Sequence, residues 1–483
     1  MKATTKTTLV ILSMLLSMTL LGQNQIDALR YSRVLFGGSA RYMSMGGAFS
    51  TLGADFSTLS TNPAGIGVYK KSEMTFSPSV GYTKTGADYL GTYRDDFKYN
   101  FNFANFGMVF AGDVGSSDSE KPEWKGIQFG FGYNRLQNFN GRTFIEGQND
   151  LSTILDVYSA YAQGISPNQL NPFDTELAFG TYLLDTVGGS TNYLQAHYGG
   201  AKQTKSITSS GGINEMVMSF GGNFNDRFYI GATLGFPFIR YEEIATYKEV
   251  DELDSLANFK SLTISDDLRT WGNGFNFKLG MIYRITDWVR ISGAFHTPTF
   301  YSLTDEYTRT MSSQLESVGN YSDKSPVGRY EYNLMTPMRV MGGVAFIIAN
   351  IGSISAEYEL VDYSEARLRE KNISGSFIQQ NEDIRGAYTA AGNLRVGTEW
   401  VVQPFSIRAG YALYGNPYKG GLNDGGQQFI SGGFGVRQQN YFIDFGYVYS
   451  VRAEDYYLYS SVPEPAKTEE TRHQFICTLG FKF

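Results

Sequence analysis

The sequence is poor in the residues from which catalytic and metal sites are usually built. It has one cysteine, Cys477, and three histidines, His197, His296 and His473, which are far apart in the chain and lack metal-ligand spacing. A single cysteine excludes an internal disulfide. The chain also lacks a Gly-x-Ser-x-Gly elbow, a P-loop and a paired-cysteine motif. We therefore predict no catalytic residue, no cofactor and no metal ion, and we expect that the protein is not an enzyme.

Long apolar runs are missing everywhere except near the amino terminus. There, Lys2 and Lys6 precede an apolar run over residues 9–21, a pattern typical of a secretory signal peptide, which we assign to residues 1–22. No later stretch approaches the roughly 20 consecutive apolar residues that a spanning helix needs. Because lipid tolerates only helices or closed barrels, an exported chain of this kind that enters a membrane must span it with strands.

The charge and the composition fit such a barrel. The formal charge of −7 becomes −9 once Lys2 and Lys6 leave with the signal peptide, which argues against nucleic acid as a partner. Aromatic residues make up 15% of the chain, and there are 55 glycines but only 13 prolines. The sequence therefore favours a strand-rich protein over a helical one.

Alternation of apolar and polar residues predicts fourteen strands. They cover residues 74–86, 98–112, 124–142, 215–224, 227–250, 270–285, 289–311, 328–348, 352–368, 389–402, 405–418, 427–440, 441–459 and 471–483. Short and long connections alternate between them, as periplasmic turns and extracellular loops do in outer-membrane barrels. The predicted fold is an all-β, closed, antiparallel transmembrane barrel of about 14 strands in a Gram-negative outer membrane. We expect a monomer that contacts outer-membrane lipid.

The last strand gives the clearest pattern. Phe475, Cys477, Leu479, Phe481 and Phe483 alternate with polar or small residues, so they are predicted to face lipid. The chain then ends on an aromatic residue, as outer-membrane barrels do. Both termini should lie on the periplasmic side, because the number of strands is even. Residues 23–73 can then plug the lumen from below, and residues 74–483 form the barrel.

Many charged residues are predicted to point into the lumen. They are Lys278, Arg284, Arg290, Arg339, Glu357, Glu359, Arg395, Glu399, Arg408 and Asp444. Charges inside a membrane protein usually pair, so the simpler interpretation is that these groups bind each other and the plug. The alternative is that Arg290, Arg395 or Arg408 holds the carboxylate of a ligand. A hydrolytic pair of His296 and Ser292 is conceivable, but a lone inward histidine is more often a structural hydrogen-bonding residue.

Several residues predict local breaks in the strands. Pro237, Pro298 and Pro337 lie inside strand segments, where each removes a ladder donor, so bulges or kinks are expected there. The apolar phase reverses between Phe103 and Phe106, as it does at a β-bulge. Three glycines share the lumen face of the third strand and leave space or a bend; they are Gly126, Gly130 and Gly132.

The connection over residues 143–214 is predicted to be a long extracellular loop that contains helices. A first helix, begun by Asn149 or Asp150, aligns apolar residues on one face, and a second is expected over residues 175–184. The apolar face must be buried on the barrel rim or must form a surface that captures apolar ligands. The candidate capture residues are Leu151, Ile154, Leu155 and Tyr158.

The segments GSARYMSMGGAF over residues 38–49 and NPAG over residues 62–65 resemble the amino-terminal hatch of the FadL long-chain fatty-acid transporter family. Further similarity follows in the barrel, over residues 296–300, 336–340, 393–397 and 408–411. The hatch motif is the specific part of the resemblance. Its residues are Gly46, Gly47, Asn62, Pro63, Ala64 and Gly65.

The resemblance implies a fourteen-stranded barrel, plugged by its amino terminus, that carries fatty acids or other hydrophobic compounds inward across the outer membrane. In that family the substrate is captured by extracellular loops and leaves sideways through a gap at a kink in the third strand, beside the Asn-Pro-Ala of the hatch. Here this predicts that Asn62, Pro63 and Ala64 face Gly126, Gly130 or Gly132 and that these glycines mark the lateral exit.

A second class of function stays open. Some relatives of this fold carry proteins, so the chain is alternatively a surface-interaction or secretion-shuttle barrel, or a receptor for haem or another hydrophobic ligand. Apolar loop helices favour ligand capture, whereas a protein shuttle should have a flat polar rim and a sealed wall. In either case the barrel assembly machinery is an expected partner during biogenesis.

Overall fold

The computed structural model describes residues 24–114, 123–349, 351–371 and 377–483. The predicted signal peptide, residues 1–22, lies outside the described residues. None of the described helices is long and apolar enough to cross a membrane.

Strands dominate the described residues. In chain order they are β1 (Glu73–Tyr89), β2 (Thr92–Asp113), β3 (Trp124–Asn138), β4 (Gly141–Asn149), β5 (Leu184–Thr186), β6 (Tyr193–Gln195), β7 (Ala201–Phe224), β8 (Phe228–Val250), β9 (Phe259–Arg284), β10 (Val289–His296), β11 (Phe300–Leu315), β12 (Gly319–Lys324), β13 (Gly328–Met335), β14 (Arg339–Ile348), β15 (Gly352–Asp362), β16 (Arg367–Glu370), β17 (Ala390–Val402), β18 (Phe405–Tyr414), β19 (Gln427–Arg437), β20 (Tyr441–Tyr456) and β21 (Ala466–Lys482).

The wall is a closed antiparallel barrel of fourteen strands. Four of these strands are interrupted and consist of β3–β4, β10–β11, β12–β14 and β15–β16, whereas the β5–β6 hairpin lies outside the wall. The barrel closes where β1 pairs with β21, from Glu73 with Lys482 to Asp88 with Lys467. The predicted fold class is therefore confirmed. The first strand begins at Glu73, one residue before the predicted start of the barrel.

Side chains alternate across the wall as predicted. In the last strand Phe475, Phe481 and Phe483 are exposed on the outside, whereas Ile476 and Thr478 are buried inside. Outward aromatic and aliphatic side chains of this kind suit a lipid-facing band.

The amino-terminal segment lies inside the barrel and forms a hatch. It contains the helices α1 (Gln25–Ser32) and α2 (Ala40–Ser44) and two 3-10 turns, over Phe56–Ser60 and Pro63–Val68. Its apolar side chains pack against lumen-facing residues of the wall; Phe49, for example, is fully buried. The segment is too short for a core of its own, so the barrel supplies the other half.

The end of the barrel with the long connections carries a cap. The helices α3 (Ile154–Ala162) and α4 (Thr175–Gly180), together with the β5–β6 hairpin, pack on the upper ends of the wall strands. A further helix, α5 (Ile378–Ala387), contacts α1 of the hatch.

The predicted loop over residues 143–214 is shorter than expected. Its two ends are strand, because β4 and β7 continue above the barrel and pair from Gly141 with Ser209 to Asn149 with Ala201. The first helix of this loop begins at Ile154 and is capped by Thr153, not by Asn149 or Asp150. Asn149 instead accepts hydrogen bonds from the backbone of Leu151 and Ser152 in the turn before the helix.

The predicted irregularities are present. The register between β1 and β2 shifts between Ser77 and Pro78, which leaves Ala104 as the bulged residue. The ladder between β8 and β9 is interrupted at Pro237. Pro298 and Pro337 lie between β10 and β11 and between β13 and β14, where the wall strands are broken.

Candidate functional site: hatch, lumen and wall gap

Asn62 fixes the hatch to the wall. Its side-chain amide donates to Ser50 O at 2.7 Å and to Met281 O of β9 at 3.3 Å, and its Oδ1 accepts from Ala64 N at 3.1 Å. Pro63 begins the 3-10 turn that follows, where its missing N–H costs nothing. The motif thus links two parts of the hatch to one wall strand.

Glycines of the wall make room for this motif. A Cβ on Gly280 would lie 1.8 Å from Asn62 Oδ1, and a Cβ on Gly231 would lie 2.2 Å from Pro63 O. Gly65 is equally confined, since its Cβ would lie 2.5 Å from Thr58 Oγ1. The hatch therefore lies directly against β8 and β9.

Gly46 and Gly47 form a turn against the opposite side of the wall. Both have positive φ, 63° and 76°, which favours glycine. Gly46 N donates to Ser431 Oγ at 3.0 Å, and a Cβ on Gly410 of β18 would lie 2.2 Å from Gly46 N. The two glycines allow the hatch backbone to approach β18 closely.

The predicted juxtaposition of Asn62, Pro63 and Ala64 with the third-strand glycines is wrong. Gly126, Gly130 and Gly132 pair without interruption with Asp113, Val109 and Gly107 of β2, so the wall is closed there. The space at Gly130 and Gly132 is filled by other hatch residues, whereas Gly126 lies against Gln128 of the wall. A Cβ on Gly130 would contact Leu59 and Ile66, and one on Gly132 would contact Phe56.

A gap does open in the wall, but higher up the same strand. The pairing of β2 with β3 ends at Asn105 and Asn134, and above this point β4 pairs with β7 and not with β2. The register of β3 against β7 shifts between Arg135 and Gln137, directly after the last pair with β2. Across the gap Asn138 Nδ2 donates to Asn100 Oδ1 at 3.4 Å.

Two cavities of about 50 Å³ each lie in the lumen. They share the extended hatch segment over residues 35–37, which separates them. One is lined by Ala104, Arg135 and Asn138 and so lies directly inside the wall gap. The other is lined by Lys278, His296 and Arg339. Each has room for only a few water molecules, whereas ligand pockets usually measure about 300–1,000 Å³.

Most charged lumen residues pair with each other, as the simpler interpretation predicted. Glu399 binds Arg408 at 2.7 Å and also accepts from Arg41 of the hatch, whose Nε lies 2.9 Å away. Arg408 also binds Asp444 at 2.7 Å. Because Arg408 already has two carboxylate partners, no unmatched charge remains on it for a ligand.

A second buried network surrounds Arg395. This residue binds Glu357 and Glu359, and Glu359 also binds Arg339 at 3.0 Å. Lys278 is paired with Glu215. Of the three arginines predicted as carboxylate contacts, only Arg290 has no acidic partner among the residues described by the structure. It donates instead to Leu52 O at 3.3 Å.

The predicted capture residues do not form an open surface. Leu155 is fully buried, Ile154 and Tyr158 are nearly so, and all three belong to the apolar core of the cap. Leu151 alone is exposed, at 80%. Burial raises the pKa of the Tyr158 phenol to about 12, although Arg309 beside it acts in the opposite direction. The apolar helix face therefore holds the cap on the rim.

The candidates for catalysis contact the hatch. His296 Nε2 donates to Thr61 O at 2.6 Å, and Ser292 Oγ bonds to Thr51 Oγ1 at 2.7 Å. Within the described ranges no group of histidine, cysteine and acidic side chains could hold a metal ion. Both residues thus have a visible role in binding the hatch.

Sequence reasoning did not identify Arg41 as a residue that binds the wall. It also did not identify the upper half of β2 as a strand that lacks a neighbour. Nothing in a single sequence indicates that Arg41 reaches Glu399, 358 positions away. In KYNFNFANF, over residues 98–106, the alternation of asparagine and phenylalanine predicts the inward and outward faces of β2. It does not show which neighbouring strand is absent.

The chain has the fold of the FadL-type outer-membrane transporters. The structure of a Pseudomonas aeruginosa FadL homologue superposes with a TM-score of 0.57 at 13% identity, covering 93% of this chain and 99% of that one. The Pseudomonas putida toluene transporter TodX gives 0.52 at 11%, covering 94% and 100%. The Ralstonia pickettii toluene transporter TbuX gives 0.50 at 15%, covering 93% and 99%.

A family model described as BamG matches residues 171–409. The comparison with curated proteins gave no match. The FadL homologue and the two toluene transporters share the fold of this chain, at identities that establish the fold alone.

Proposed function

We propose that the protein admits hydrophobic compounds, such as long-chain fatty acids or aromatic hydrocarbons, across the outer membrane by a lateral route. The observation that carries this proposal is the wall gap between β2 and the β3–β4 strand, which lies directly outside a lumen cavity. The fold is shared with proteins described as toluene transporters. Burial of an acyl chain yields about 0.8 kcal/mol per CH₂, so an apolar ligand favours such a route over water.

In this proposal the lateral route passes between Asn100 and Asn138, above Gly126, Gly130 and Gly132. The hatch segment over residues 35–37 must move for a ligand to pass, because it fills the space between the two cavities. Arg290 is the remaining candidate contact for a ligand carboxylate. Its guanidinium lies near the periplasmic end of the lumen, two residues after the turn at Trp288.

Crosslinking the gap tests the route. In a Cys477→Ser background, Asn100→Cys and Asn138→Cys place two thiols across the gap, which a short bismaleimide can join. Uptake of a fatty acid or of toluene should fall at least tenfold after crosslinking, while the unlinked double variant and each crosslinker-treated single variant keep the parental rate. Equal uptake before and after complete crosslinking would exclude this route.

A second candidate function is that of an interaction barrel related to the barrel assembly machinery. The closed cap and the small lumen cavities favour it, because neither leaves space for a fatty acid. The match to the BamG model also supports this second candidate function. A lipid-extraction mass spectrum of the purified protein separates the two candidates: a bound hydrophobic compound in stoichiometric amount supports transport, and its absence together with no measurable uptake supports the interaction barrel.

A further inference from the structure

The upper half of β2 directs six residues toward the wall gap. The β1–β2 turn has two residues, Leu90 and Gly91, both with positive φ, as in a type I′ hairpin. In such a hairpin the flanking pair, Tyr89 and Thr92, exchanges both hydrogen bonds, and every second pair does the same. Even-numbered residues of this half therefore bond to β1. The backbone N–H and C=O groups of the odd-numbered ones point the other way; these residues are Tyr93, Asp95, Phe97, Tyr99, Phe101 and Phe103.

No strand of the described chain pairs with this edge. The ladder between β2 and β3 begins only at Asn105. The six residues span about 34 Å at roughly 3.4 Å per residue. Their side chains face outward and are strongly exposed, with Tyr99 at 66% and Phe101 at 63%. A barrel normally has no free edge, because lipid offers no partner and each orphaned backbone group costs several kcal/mol.

The strand that would complete the wall is held behind the hairpin. Arg94 of β2 binds Glu146 of β4 at 2.6 Å, and Lys98 donates to Ser209 O of β7 at 2.7 Å. A Cβ on Gly147 would lie 2.6 Å from the Tyr89 ring. Since inward-facing side chains of β1 and β2 contact β4 and β7, β4 lies on the lumen side of the hairpin and leaves the edge open.

We propose that this edge binds an extended β-strand of a partner polypeptide, which adds to β2 and closes the wall gap. Two of the twelve backbone groups bond to side chains of β2, since Phe97 N donates to Asp96 Oδ1 at 2.7 Å and Tyr93 O accepts from Arg94 Nη1 at 3.1 Å. The other ten donors and acceptors lie at strand spacing and are complemented by another extended backbone and by neither lipid nor scattered water.

The sequence of the partner strand must alternate between apolar and polar residues. Its outward residues lie beside Phe97, Tyr99 and Phe101 in the apolar band and are apolar. Its inward residues lie beside Asp96 and Asn100 and are polar. This inference goes beyond the proposed function and does not require transport.

Site-specific photo-crosslinking in intact cells tests the proposal. The photoreactive residue p-benzoylphenylalanine replaces Phe97, Tyr99 or Phe101 at the edge, and in a matched control it replaces Phe434, an exposed outward residue of β19, which is paired on both sides. We expect each edge probe to form a polypeptide adduct at least ten times more abundant than the Phe434 probe. Mass spectrometry should map the three adducts to one partner segment, at positions two residues apart.

A backbone variant makes the test specific for strand addition. Tyr99→Pro removes an N–H that points to the gap and leaves the bonds to β1 intact, so crosslinking from Phe97 should fall at least tenfold, whereas Tyr99→Ala should preserve it. Heat-modifiability on gels verifies that both variants fold. Adducts to lipid only, to scattered positions or to a second copy of this chain would overturn the proposal, as would equal crosslinking in the two Tyr99 variants. Uptake measured in parallel reports on the transport proposal independently.

Discussion

Single charged residues in this lumen are bound to one another and to the hatch. Arg408 of β18 has two carboxylate partners, Glu399 on the neighbouring strand β17 and Asp444 on β20, two strands away, and Arg41 of the hatch binds the same Glu399. Buried pairs of this kind contribute little net stability compared with apolar packing, but the loss of one partner leaves a charge without compensation. The networks therefore hold the hatch in one position.

Removal of the Arg408 side chain should accordingly destabilise the folded protein strongly. Arg408→Leu removes the shared partner of Glu399 and Asp444. Each carboxylate keeps one other arginine, Arg41 for Glu399 and Arg437 for Asp444, so the expected loss of unfolding free energy is at most about 3–5 kcal/mol. Arg269→Leu is the matched control, because Arg269 forms an exposed pair with Asp267 that is worth at most about 1 kcal/mol. Urea unfolding in detergent measures both, and equal effects would contradict the assigned networks.

The contact between Asn62 of the hatch and Gly280 of β9 gives a steric prediction. Gly280→Ala places a methyl group against Asn62 Oδ1, so the hatch must shift, at an expected cost of about 1–3 kcal/mol. Gly342→Ala is the control, because the added Cβ meets nothing closer than Ser292 O at 3.8 Å. The thermal midpoint of the heat-modifiable band should fall for the first variant only. An unchanged midpoint in Gly280→Ala would mean that Asn62 does not bind where the structure places it.

At the level of elements, the alternation of apolar and polar residues predicted the strands. The position of the wall gap depends on tertiary contacts that the alternation does not show. The reversal of phase between Phe103 and Phe106 predicted the bulge that the structure shows at Ala104. The position of the gap could not be predicted, since β2 alternates on both sides of the bulge at Ala104 and the alternation does not show where its second neighbour is lost. The ladder to β3 ends at Asn134, and the register of β3 shifts just beyond it.

The cap helix gives a prediction with an internal control. Leu155→Ser places a hydroxyl in the buried core of the cap and should destabilise it by about 2–5 kcal/mol. Leu151→Ser, in the same loop but exposed, should change stability by less than about 0.5 kcal/mol. Protease digestion of intact cells, followed by mapping of cuts within residues 150–200, reports on the cap. Equal protection of the two variants would show that the cap core does not hold the loop.

At the level of the whole molecule, the barrel is closed above by its cap and filled below by its hatch. The carboxyl terminus lies beside the start of β1, where Phe483 N donates to Ser72 O at 3.0 Å. The first described residues lie at the other end of the lumen, because Gln25 O of α1 accepts from Tyr388 Oη at 3.0 Å beside α5, so the prediction that both termini lie at one end is wrong for the amino terminus.

The hatch motif allowed the plug to be predicted, because residues 23–73 are a Gly-rich stretch with few long apolar runs and cannot bury a core of their own. The exact position of the hatch against β8 and β9 depends on the absence of a side chain at Gly231 and Gly280. Strand alternation does not reveal this dependence.

Proteolysis tests the plug directly. Lys70 and Lys71 are exposed in the linker before β1, whereas Arg33 is buried in the lumen. Trypsin that reaches the periplasmic side should cut after Lys70 or Lys71, and the released hatch should stay with the barrel until it is denatured. Rapid cleavage at Arg33 in the folded protein would contradict a plug held inside the wall.

The most direct test of the transport account is photoaffinity labelling with a diazirine-bearing fatty acid in reconstituted membranes. Outward side chains will be labelled in any case, because they contact lipid. The account predicts additional labelling of the cavity behind the gap, at Phe36, Ala104, Leu136 or Phe429, which an excess of unlabelled fatty acid abolishes. Labelling confined to outward residues, with none in this cavity at any ligand concentration, would contradict a lateral route through the wall.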